Sequence, residues 1–300
     1  MTGENQGPQD VNESTAAPTP EPAAAPAVPA QPGVIDHERF FLIGIIDGLM
    51  GLVRKVLCEN LVMQSCRWAA LIGMWATIVF AGLVVLFGLI NAISAKSFGP
   101  FGVSLGMALL ALALLYTAAK FCNAGRAIID ATESEMSSKA FLDSLALLSA
   151  VLAVVLIVGG IVTGIRMGHM MPVGVGFAFG AWWAYLTAVA LNPSLVNVTV
   201  QSRASAGQEF LGIVSFFLKA KLRIVPIVYG IAVTVCTALF VVGMIRYLAA
   251  DEWDKQAIAL EMAELGGLIL TATALPFIVY ILVLLAYLLI DLARAILRIK

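Results

Sequence analysis

Residues 144–165 read SLALLSAVLAVVLIVGGIVTGI, twenty-two consecutive positions without a charged side chain. At helical rise this run extends about 33 Å, enough to cross the roughly 30 Å hydrocarbon core of a bilayer. No water reaches the backbone there, so its N–H and C=O groups must pair within the segment, and a helix is the form that does this. Five more runs meet the same demand: 68–90, 99–119, 170–191, 226–245 and 266–290. Charges stand at their borders instead, among them Lys120, Asp143, Arg166, Arg246 and Asp291. The resulting fold class is all-α, a polytopic integral membrane bundle of six spanning helices.

The rest of the chain agrees with that solvent. Hydrophobic residues make up 61% of the 300 and charged ones 12%, about half the charged share of an ordinary soluble domain. A soluble globule of this composition would expose large apolar patches, which monomers avoid. A net charge of −1 gives no concentrated basic face, so nucleic acid is not an expected partner. Cys58, Cys66, Cys122 and Cys236 are scattered without a CxxC pair, and they imply no disulfide framework or zinc site.

Residues 1–35 form a separate segment by composition. They lack the basic start and apolar stretch of a signal peptide, and 15–32 read TAAPTPEPAAAPAVPAQP. Such a Pro/Ala-rich stretch cannot bury a core and is expected to be a disordered cytoplasmic tail. The membrane domain then occupies 36–300. With the N-terminus inside and the spans alternating, fourteen Lys and Arg side chains fall on the inner side and four on the outer. That bias predicts both termini in the cytoplasm, and the tail's composition points to a bacterial inner membrane.

Two segments carry helical amphipathic patterns. In 36–59 the polar or small positions Asp47, Gly51, Arg54, Lys55, Cys58 and Glu59 recur on one face, with Lys55 and Glu59 spaced to pair. In 208–223 the stripe is Glu209, Gly212, Ser215, Lys219 and Arg223, opposite Phe210, Leu211, Val214, Phe217 and Leu218. Both are expected to lie in the membrane interface. Their shared place before a span hints at an internal duplication. Between the fourth and fifth spans, Asn192-Pro193 stops a helix, and 195–200 alternates as a short extended piece. This irregular stretch, with Asn192, Pro193 and Asn197, is the expected partner-contact loop.

Candidate functional features inside the bilayer are packing devices rather than reactive groups. Gly160, Gly164 and Gly168 repeat at four-residue spacing on the third span, and Gly176 and Gly180 on the fourth are placed to answer them. The contact they make is either within one subunit or between subunits. Trp182 and Trp183 lie too deep for interfacial anchors, which makes them buried bulk or the lining of a hydrophobic cavity. Pro276 interrupts the sixth span and predicts a kink, with Thr271 and Thr273 placed to satisfy the freed carbonyl.

His37 and His169 lack acidic or cysteine company at ligand spacing. No HExxH, Walker loop or Ser-His-Asp set is present. No charge sits at depth, where proton relays and ion coupling need one. The expectation is therefore a non-enzymatic protein with no cofactor or metal, acting among membrane lipids as an oligomeric assembly or scaffold component. The alternative is a passive channel or a conduit for lipid or hydrophobic solute.

Overall fold

The computed structural model describes residues 41–168, 171–200 and 205–298. The tail segment 15–32, His37, His169 and Arg203 lie outside these. The chain divides into two units, residues 1–45 and 46–300. Of the first, only 41–45 are described, as the start of a helix. The second contains the helical bundle.

Seven α-helices run in order among the described residues: α1 (Phe41–Val56), α2 (Glu59–Ala95), α3 (Gly99–Ala131), α4 (Lys139–Met167), α5 (Met171–Leu191), α6 (Ala206–Ala249) and α7 (Glu252–Arg298). Helices α2 to α7 are each long and apolar enough to cross a membrane. Together they make the protein a multi-pass, all-α membrane protein. The helices overrun the apolar runs, because nothing in the border residues stops a helix once lipid ends. The acidic residues Asp254, Glu261 and Glu264, which lie between the fifth and sixth apolar runs, therefore stand in the first turns of α7. There Glu261 pairs with Arg246 at 3.2 Å.

Helices α2, α3, α6 and α7 form the main body. Its closest crossing is between α2 and α6, where a Cβ on Gly73 would lie 2.7 Å from the Gly230 Cα and one on Gly230 would strike the Ala69 carbonyl. Farther along the same two helices, Phe80, Phe240, Phe87 and Tyr247 make a row of edge-on aromatic contacts. Helices α4 and α5 pack against each other as a hairpin. Gly160 and Gly176 meet so closely that a Cβ on either would come within 2.7 Å of the other's Cα, and Gly180 receives Ile157 and the Ala153 carbonyl. Thr187 donates to Ser149 at 2.9 Å across the same interface. Gly164 is buried on α4, while Gly168 closes that helix in the left-handed conformation at φ 70°.

Two expectations change. Residues 208–223 do not form a separate helix but the first turns of α6, which runs unbroken past Pro226. By contrast α1 ends at Val56, and a break at Leu57–Cys58 separates it from α2. That break takes Lys55 and Glu59 off a common helix, and Glu59 instead accepts from Ser194 at 3.3 Å. The two segments proposed as duplicates thus differ in construction. The stretch after Asn192 begins with a 3-10 turn over Pro193–Val196, Asn197 adopts φ 51°, and only Val198–Val200 is extended, as β2. It pairs in parallel with β1 (Ser134–Met136), Ser134 opposite Val198.

Candidate functional site

The groups with chemical character collect at the end of the bundle where α3 stops and α4 and α6 begin. Helix α3 ends with unpaired carbonyls, as every helix does. Asn197 supplies the missing donor, its Nδ2 reaching the carbonyls of Ile129, Asp130 and Thr132 at 3.1 to 3.2 Å. Lys219 Nζ donates to the same Thr132 carbonyl and to that of Asn197 at 3.1 Å. A cation beneath a helix C-terminus also complements the helix dipole. Lys219 is fully buried, so these carbonyls take the place of water.

Glu209 performs the opposite task for α4. Its carboxylate accepts from Ser137 N and Oγ at 2.6 Å and from Ser138 N at 3.0 Å, while Ser138 itself caps the helix at Phe141 N. Charge-assisted bonds at a helix N-terminus are among the stronger ones in proteins. Between the two caps, Ser134, Ser215 and Tyr287 join by hydroxyl contacts of 2.6 and 3.1 Å. Gly212 lies against the Glu135 carbonyl and leaves no room for a Cβ.

Gly212, Ser215, Lys219 and Arg223 of the polar stripe are therefore buried in protein, and Glu209 at its end is half-buried. The physical reason is the set of helix-end carbonyls and amides beside it, which only those side chains can satisfy in a low-dielectric setting. The partner-loop residues are drawn inward for the same reason. Asn192 Nδ2 bridges the Leu57 and Ala188 carbonyls at 3.0 Å each, and Leu195, Val196 and Val198 belong to the core. Arg223 is nearly buried, with one guanidinium nitrogen on Met63 Sδ and its Nε unpartnered. Cys66 donates to its carbonyl at 3.6 Å.

Beside this cluster, on the face of α6 turned away from it, runs an apolar groove of about 340 Å³. Trp182 of α5 forms one wall. Leu218, Val225 and Val228 of α6 and Leu275, Val279 and Val283 of α7 form the others, and Lys221 is its one charged lining residue. The tryptophan pair is split by helix geometry, for Trp183 packs instead against the core cluster that includes Leu186 and Phe216. The two prolines in helix interiors flank the groove, Pro226 next to Val225 and Pro276 next to Leu275. Each removes the amide that would have bonded the carbonyl four residues earlier, that of Leu222 or Ala272. Thr271 and Thr273 do not serve the Ala272 carbonyl. They donate to those of Gly267 and Ile269, their own partners one turn back.

Among the described residues no group of three His, Cys, Asp or Glu is placed to hold a metal ion. Sequence reasoning missed the helix caps, the Gly73–Gly230 crossing and the position of Pro226 within one continuous helix. Two caps had a signal in the sequence, the Ser137-Ser138 pair before an apolar run and the Ser205-x-x-Gln208 capping-box pattern. Comparison with family models, curated proteins and solved structures returns no match to this chain.

Proposed function

We propose that the protein is a non-enzymatic membrane component whose work is to hold an apolar molecule in the groove between α5, α6 and α7. The observation that carries this reading is the groove itself. Its volume falls in the range of small-molecule sites, which are typically about 300–1,000 Å³ and mostly apolar with few polar groups. Trp182 supplies a broad, rigid wall, and the two prolines loosen backbone bonding where they border the groove.

Of the features behind the assembly reading, the glycine contact is met within one chain, where Gly160, Gly176 and Gly180 are occupied. An oligomer would have to use other faces. The polar cluster is engaged in capping helices, which supports a structural rather than a reactive role.

Native mass spectrometry of the protein released into nanodiscs tests the proposal. The wild type is expected to retain a small apolar ligand or lipid through mild activation. Val228→Trp, which fills the groove, and Trp182→Ala, which removes its wall, should each reduce that retention. Equal retention by all three would overturn the reading.

A further inference from the structure

We infer that the occupant of the groove is one acyl chain of an anionic glycerophospholipid, whose phosphate is held by Lys221. This rests on the groove reading above and deepens it.

Lys221 is exposed on the rim, and among the described residues it has no hydrogen-bond or ion-pair partner. No carboxylate lines the groove. Its neighbours on α6 behave differently, for Lys219 is bonded to carbonyls and Arg223 is turned into the protein. The unmatched positive charge thus lies where an apolar slot opens to lipid.

Its depth is that of a headgroup. Side chains on a helix lean toward the N-terminus, and on α6 that direction leads to the capped ends of α3 and α4. Arg126 and Arg223 stand at the same level, because Gly125 of α3 touches Leu222. Arg67 joins them, since the adjacent Cys66 bonds to the Arg223 carbonyl, and exposed Trp68 is next in the chain. A belt of cations beside an exposed tryptophan is the composition of a membrane interface. From that level the groove runs along Val225 and Val228 into the hydrocarbon region. An amphiphile with an anionic head and an apolar tail matches both ends at once. A neutral solute would leave Lys221 unmatched, and a partner helix would have to bring a carboxylate to it.

The test compares the full chain and Lys221→Gln in nanodiscs containing equal parts phosphatidylglycerol and phosphatidylcholine of one chain length, read by native mass spectrometry. One cation near the headgroups contributes on the order of 1 kcal/mol, so the wild type should retain phosphatidylglycerol with about fivefold preference. Lys221→Gln should retain lipid without preference, and Lys221→Arg should restore it. Equal retention of the two lipids by the wild type, or an unchanged preference in Lys221→Gln, overturns the headgroup assignment and leaves the groove standing. Retention that Val228→Trp does not reduce overturns the groove itself. A second copy of the chain or another polypeptide in place of lipid overturns the assignment as well.

Discussion

Lys219 and Asn197 illustrate how single side chains hold this protein together. Both serve the last turn of α3, and Lys219 joins that turn to the backbone of Asn197 through one nitrogen. Lys219→Met keeps the length of the side chain but removes the charge-assisted bonds to the Thr132 and Asn197 carbonyls, which are left with one donor each, Asn197 Nδ2 and Ser134 N. The loss should be about 2 kcal/mol, read as a lower melting temperature in detergent. An unchanged melting temperature would mean that the clamp carries no stability. The helical pattern marked Lys219 and Glu209 as members of one polar face, but not which medium that face meets. A stripe of polar residues looks the same whether it is turned to water or to the ends of other helices. The deciding partners, Thr132, Ser137 and Asn197, lie outside α6, and residue spacing within α6 carries no trace of them.

At the level of helices, the spans were legible because lipid imposes a length and excludes charge, and both can be counted. Their ends were not, since α6 continues through Pro226 with its capping box at Ser205 and Gln208. The glycines of α4 and α5 were legible by their four-residue spacing. The tighter approach of Gly73 to Gly230 was not, because neither has another glycine four residues away. Substitutions should rank accordingly. Gly230→Val forces α2 and α6 apart at the centre of the body, and Gly176→Leu separates the hairpin. Each should cost about 2 kcal/mol or more, whereas Gly82→Leu, with open space around it, should leave the melting temperature within about a degree of the wild type. Thermal unfolding of the three variants checks the order.

For the molecule as a whole, the distribution of Lys and Arg predicts the N-terminus, the α3–α4 connection, Ser205 and the C-terminus on one side of the membrane. The geometry is compatible, since the residues between α3 and α4 bond directly to those between α5 and α6. Cys58 is exposed and offers a direct measurement. In sealed vesicles, a membrane-impermeant maleimide should reach Cys58 and the Ser205→Cys variant from the same side. Lys255→Cys should react from the opposite side. Labelling of Cys58 and Ser205→Cys from different sides would refute the arrangement.

The hairpin of α4 and α5 has a mechanical consequence. Toward the body, α5 buries Leu186, Ala188, Val189 and Ala190, all in its last turns, while Gly176, Gly180 and Thr187 face α4. The hairpin is therefore a cantilever, fastened from Trp182 to the end that carries the helix caps and free beyond it. About 16 Å of α5 lies beyond Trp182, so a tilt of about 5° at the fastening would displace its far end by about 1.4 Å. Trp182 stands at the edge of that fastening, so the same tilt would barely move it: rearranging one cap would swing the far end of the hairpin through the lipid and leave the width of the slot nearly unchanged.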